Sequence, residues 1–151
     1  MRGLEFGSGR STAWFATKLG RLASVEHHAG WHEQVQTMLT TRHPANVDYR
    51  LIPLDHVESE PEQAEYNPLP RYVAVVDEFP DESLDLVVVD GHYRSTCIRR
   101  CVGKLRPGGL LLVDDLNLWP TRDQIPVPGH WPMADLGSNG LKQTGIWKKP
   151  S

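Results

Sequence analysis

Only two cysteines occur in the 151 residues, Cys97 and Cys101, and no other soft ligands stand near them at zinc spacing. A disulfide-built scaffold and a cysteine metal knuckle are thereby set aside. Four positions apart in a stretch of helical pattern, the two thiols share a helix face and read as a buried pair. No apolar run approaches the roughly 20 residues that span a bilayer. Met1 leads almost at once to Glu5 and Gly7, not to the apolar core of a secretion signal. A cytoplasmic protein with no membrane partner is expected. Charge of neither sign dominates: the formal net charge is −3 and the basic residues are scattered, which offers no stripe for a phosphate backbone. A nucleic-acid partner is therefore not expected. Repeats and low-complexity tracts are also lacking. What remains is an ordinary composition, 39% apolar and 23% charged, at the size of a single domain covering residues 1–151.

The order of elements follows from periodicity. Residues 2–6 suit a short strand, Gly7-Ser8-Gly9 a tight turn, and residues 11–19 a helix ending at Gly20. Residues 22–26 form a second short strand ending on an acid, and residues 30–41 place Trp31, Val35, Met38 and Leu39 at helical spacing. A third strand is predicted over 46–54, then an exposed loop over 58–70 and a short helix over 71–78. Residues 83–90 are a nearly unbroken apolar run, as in a parallel strand covered on both faces. A helix over 95–105, a turn over 106–109 and a fifth strand over 110–113 follow. The proline-rich stretch after Asp115 reads as loop until residues 140–148, which suit an antiparallel edge strand. Alternating strands and helices predict an α/β fold: a Rossmann-like, doubly wound, mostly parallel sheet with helices on both faces and an antiparallel C-terminal edge strand.

In such sheets ligands bind beyond the carboxyl ends of the strands, and every one of those ends carries an acid: Glu5, Glu26, Asp55, Asp90, and Asp114 with Asp115. Gly7 permits a sharp turn and Gly9 a close approach of backbone to ligand, with Ser8, Ser11 and Thr12 around them. Glu26 stands where an acid accepts hydrogen bonds from both hydroxyls of a ribose. A ribose-bearing cofactor is indicated. Thr12 occupies the third-glycine position of a dinucleotide fingerprint, and the Glu5 carboxylate would repel a pyrophosphate while suiting the cationic amino group of a methionine moiety.

These residues, Leu4-Glu5-Phe6-Gly7-Ser8-Gly9-Arg10-Ser11, Ser24-Val25-Glu26-His27, residues 85–92 and residues 105–115, resemble the class I methyltransferases that use S-adenosylmethionine. The resemblance implies S-adenosylmethionine as cofactor, its methionine part over the first turn, its ribose on Glu26 beside His27, and its adenine near Asp55 and His56. It also implies a seven-stranded sheet with one antiparallel strand. Family members usually carry helices ahead of the first strand that close the cofactor site. This sequence begins on that strand: either it is a shortened form, or the cover is expected from the proline-rich C-terminal stretch, from a second copy of the chain, or from a partner chain.

Methyl transfer to a hydroxyl needs alignment and removal of a proton. Asp90 and His92 are the catalytic candidates, His92 because an imidazole suits a general base at neutral pH. The acceptor is expected to be a small molecule, with oxygen the favoured atom. Asp90, Asp114 and Asp115 also resemble the ligand set of metal-dependent O-methyltransferases, whose hard oxygens suit magnesium or calcium. Those enzymes usually have a lysine after the fourth-strand acid, whereas Arg94 stands here and cannot act as a base, so no metal is the favoured reading. His27, His28 and His32 read as a solvated helix start in preference to a metal site. Trp14, Trp31 and Trp147 are assigned to packing, and Trp119 and Trp131 are candidates to line an acceptor pocket. Two alternatives stay open: a nicotinamide-dependent oxidoreductase, and a non-catalytic cofactor-binding relic of the methyltransferase fold.

Overall fold

A computed structural model describes residues 1–42 and 44–151. The chain runs β1 (Arg2–Phe6), α1 (Arg10–Ala16), β2 (Arg21–Glu26), α2 (Ala29–Arg42) and β3 (Val47–Leu51). It continues through α3 (Arg71–Ala74), prolonged by a 3-10 turn at Val75–Glu78, then β4 (Leu84–Val89), α4 (Arg94–Cys101) and β5 (Leu105–Val113). Two 3-10 turns, Leu116–Leu118 and Arg122–Gln124, precede β6 (Met133–Ser138) and β7 (Gln143–Lys148). The seven strands form one sheet in the order β3-β2-β1-β4-β5-β7-β6. Strands β1 to β5 pair in parallel, β7 runs antiparallel to β5, and β6 runs antiparallel to β7. The chain starts in the middle, winds outward to β3, and returns to lay β4 beside β1. The strand order therefore reverses between β1 and β4, where the ends of an α/β sheet part to receive a ligand.

Several boundaries differ from the periodicity. Strand β3 stops at Leu51: Ile52 still donates to the Glu26 carbonyl (2.8 Å), but Pro53 has no N–H with which to continue. Helix α1 ends at Ala16, where the Asn46 side chain takes the Ala16 and Leu19 carbonyls (2.8 and 2.7 Å). Residues 106–109, expected as a turn, belong to β5, which pairs with β4 through an irregularity between Leu84 and Leu86. The predicted C-terminal strand is antiparallel as expected but lies inside the sheet. The edge is β6, whose mostly exposed Met-Ala-Asp-Leu-Gly-Ser carries no strand-like alternation and is held by its ladder to β7.

Both faces of the sheet are covered. Leu4, Phe6, Val25, Val87, Val89, Leu111 and Val113 point to the face packed by α3, α4 and the C-terminal stretch, and contribute to the main core. Leu22 and Val88 point to the other face, against Phe15 and Leu19, with Val35 and Leu39 of α2 packed beside them. Cys97 and Cys101 are both free and fully buried, and burial pushes both thiols up. The tryptophans divide otherwise than the sequence suggests. Trp147 is a core residue, but Trp14 and Trp31 are 56% and 44% exposed. Trp131 joins Ile125 in the main core, so the proline-rich stretch covers the α4 face of the sheet. Among the described residues no helix is long and apolar enough to cross a membrane.

Candidate active site at the carboxyl ends of the strands

The ends of β1 and β4 abut. The Asp90 amide donates to the Phe6 carbonyl (2.8 Å), and Gly7, at φ +89°, turns the chain directly against Asp90 and Gly91. Beneath this turn Glu5 is fully buried. Its carboxylate accepts from the hydroxyls of Ser11 (2.8 Å), Thr12 (2.7 Å) and Ser24 (2.6 Å), which ties β1, β2 and α1 to one anion. Burial raises its pKa while these three donors oppose the shift. Glu5 thus sits below the glycine turn, and Ser11 lies between it and the solvent side.

Glu26, at the end of β2, is the second hub. One carboxylate oxygen accepts the amides of His27 and His28, both at 2.9 Å; the other accepts the amide and hydroxyl of Ser8, at 3.1 and 2.7 Å. Since the single Ser8 hydroxyl proton points to Glu26, the Tyr49 hydroxyl 2.7 Å away must donate to Ser8. Burial pushes the Tyr49 phenol up to about 12, which keeps that proton in place. All three amides of the turn are occupied: Gly7 donates to the Val25 carbonyl, Ser8 to Glu26, and Gly9 to the Thr12 hydroxyl. Trp31 lies over the turn, its indole N–H donating to the Ser8 carbonyl (2.7 Å) and its ring touching the face of Gly9. Trp31, read from the sequence as a packing residue, thus covers part of the turn.

The ends of β2, β3 and β4 bring His27, His56 and His92 together, a grouping that depends on strand order. His92 lies between the other two, its ring centre 5.6 Å from that of His27 and 5.9 Å from that of His56. Tyr93 packs edge-on against both His56 and His92. One ring nitrogen of each histidine is buried without a hydrogen-bond partner. Burial and the two flanking imidazoles lower the His92 pKa, so it is neutral at neutral pH. Asp55 is drawn away from this group: its carboxylate accepts the Arg71 amide and guanidinium, both at 2.7 Å, at the start of α3. His28 accepts the Trp31 amide and His32 stacks on Tyr49, so neither faces a shared site with His27.

Asp90 and Asp114 stand at the ends of neighbouring β4 and β5, close enough for each to influence the other's titration. Removal from water, with Asp114 beside it, pushes Asp90 up to about 6, against the pull of Arg94. Thr144 of β7 donates to Asp114. Arg94 links the two loops, donating to the Gly91 and Asp90 carbonyls, to the Asp90 carboxylate and to the Asp114 carbonyl. Asp115 faces Lys142 at 3.4 Å. Among the described residues no three His, Cys, Asp or Glu side chains are grouped to hold a metal ion. Next to Arg94 a cleft of about 200 Å³ opens between His92 and Trp119, with Glu62 and Leu118 on its sides. Trp119 therefore lines the cleft as expected, and Trp131 does not. Tyr49, Trp31, Thr144 and Glu62 escaped the sequence reading. Tyr49 lay inside the recognised third strand, but only the pairing of that strand with β2 aims it at Ser8.

A seven-stranded sheet with β7 inserted antiparallel between β5 and β6, a glycine turn at its switch point and an acid after the second strand matches the Rossmann-like fold of methyltransferases. The sequence matches the family described as "Methyltransferase domain" over residues 4–116, and the chain belongs to that family. No curated protein matches the sequence. Among solved structures, a methyltransferase from Geobacter sulfurreducens superposes with a TM-score of 0.67 at 12% identity, covering 99% of this chain and 71% of that one. A methyltransferase-like protein from Silicibacter pomeroyi gives 0.63 at 20% identity, covering 99% and 80%. An RNA methyltransferase from Salinibacter ruber, in complex with S-adenosyl-L-homocysteine, gives 0.57 at 13% identity, covering 99% and 81%. At these identities the likeness concerns the fold.

Proposed function

We propose that the chain transfers a methyl group from S-adenosylmethionine to a hydroxyl oxygen of a small molecule. The carrying observation is geometric: the end of β4 sets Asp90 against the glycine turn, and the residues that follow it, Gly91, His92 and Arg94, line a cleft. The cofactor would supply a methyl carbon on a sulfonium, ready for displacement. Its fit rests on the turn: Gly9 leaves its backbone without a side chain beneath the Trp31 ring, and Glu26 offers a carboxylate to a ribose. Of the four donors on Glu26 only the Ser8 hydroxyl can rotate, so it is the one a ribose hydroxyl would replace. His27 would lie beside the ribose and His56 near the adenine. A pyrophosphate finds no free amide in this turn and meets the carboxylate of Glu26 beside it, which disfavours a nicotinamide cofactor.

Isothermal titration with S-adenosylhomocysteine tests the reading. One-site binding is expected, and a folded sample that gives no heat with either S-adenosylhomocysteine or S-adenosylmethionine would overturn it. The chain's own part in the chemistry is to hold the acceptor hydroxyl and take its proton, on Asp90 or on His92.

A pH dependence follows. With Asp90 near 6, turnover should fall as pH drops through that value. The stability effect has the opposite sense. A carboxyl whose pKa is raised on folding favours the fold while protonated, and that contribution is lost between about pH 4 and 6. Asp90→Asn should therefore melt higher than wild type at neutral pH, with an advantage that shrinks on acidification, while turnover is lost. Parallel thermal melts from pH 4 to 8 provide the check; a constant gap would contradict the raised pKa.

A further inference from the structure

We infer that the cleft beside Arg94 accepts a flat, hydroxyl-bearing ring that carries no negative charge, an inference that rests on the methyltransferase reading for the name acceptor. The walls supply the ring preference. The Trp119 indole is fixed by its N–H donating to the Ser95 hydroxyl (3.1 Å), which leaves its ring as a set surface, and Leu118, 59% exposed, extends that apolar wall. His92, the candidate base, borders the same space.

The charge preference comes from counting what is left over. Glu62 lines the cleft, its carboxylate held by the Thr96 amide at 3.3 Å, and Asp90 and Asp114 lie just behind Arg94. Arg94 is the cation in the lining, and its guanidinium is already committed to the Gly91, Asp90 and Asp114 carbonyls and to the Asp90 carboxylate. Lys142 is engaged by Asp115. A carboxylated or phosphorylated acceptor would meet Glu62 with no uncommitted cation to pair with, whereas an uncharged or ammonium-bearing one would not.

Three phenols that differ only in the tail test this: tyrosol, tyramine and 4-hydroxyphenylacetate, titrated by NMR into the full chain with and without saturating S-adenosylhomocysteine. Tyrosol and tyramine are expected to bind, and 4-hydroxyphenylacetate about tenfold more weakly or not at all. Glu62→Lys, a change at an exposed loop position, should close or reverse that gap. Trp119→Phe should retain binding of the neutral phenol, and Trp119→Ala should weaken it. Equal or tighter binding of the carboxylate, indifference to Glu62→Lys, or no binding of any of the three would overturn the inference. Absence of S-adenosylhomocysteine binding would strike the cofactor reading instead, since the phenols report on the cleft in the free protein as well.

Discussion

Gly7→Ala is expected to lower the stability of the fold by about 4 kcal/mol. Two costs add. The residue sits at φ +89°, where a side chain is strained. The added carbon would also lie 2.6 Å from the Asp90 carbonyl carbon and the Gly91 nitrogen. These are backbone atoms of the neighbouring strand end, so no rotamer change relieves the clash. Gly91 faces the same contact from the other side: its own added carbon would fall 2.9 Å from the Gly7 nitrogen and closer still to the buried Tyr72 hydroxyl oxygen. The two glycines are thus one device that lets the ends of β1 and β4 meet. At roughly 2–4 °C per kcal/mol for a domain of this size, a melting temperature about 10 °C lower is expected. Gly103→Ala, which meets nothing within 4 Å, is the control that should leave it almost unchanged. Equal melting of the two variants would show that the turn is not held as described.

Glu26→Ala should damage both folding and cofactor binding, in separable amounts. Its carboxylate is 3% exposed and answers three backbone amides and one hydroxyl. Buried donors left without a partner cost about 1–3 kcal/mol each, less where water enters, so a net loss of roughly 3 kcal/mol is expected in urea denaturation. Loss of the ribose contacts should remove a further 1.5–3 kcal/mol of S-adenosylhomocysteine binding, roughly 10- to 100-fold in Kd. Ser8→Ala separates the roles. It deletes the rotatable donor while leaving the carboxylate and its amides in place, so affinity should hold or rise. A fall in affinity on Ser8→Ala to the level of Glu26→Ala would show that Glu26 acts through Ser8 and not on the ribose.

These two residues also mark how much could be read from the sequence. Gly7, Gly9 and Glu26 lie close in the chain, and a turn between a strand and a helix is local geometry, so their meeting follows from short-range rules. The same holds for β4, whose apolar run identifies a doubly covered strand, and for the paired cysteines of α4. Trp31 misled because helical spacing alone does not say which face of α2 meets the sheet. Strand β6 was missed because its exposed residues have no periodicity of their own and take strand geometry from β7.

The order of elements, the glycine turn, and the acid at each strand end were fixed by local pattern, because backbone conformation and hydrophobic period are set by neighbours in the chain. Which acids act together was decided by the tertiary structure alone. Asp90 gains its raised pKa first from burial among the strand ends and then from Asp114, which β5 delivers by lying beside β4, and Arg94 and Thr144 reach these acids only through that arrangement. Asp55, equally acidic in sequence, is spent on Arg71. Charge interactions fall off with distance and depend on burial, and both are properties of the folded sheet.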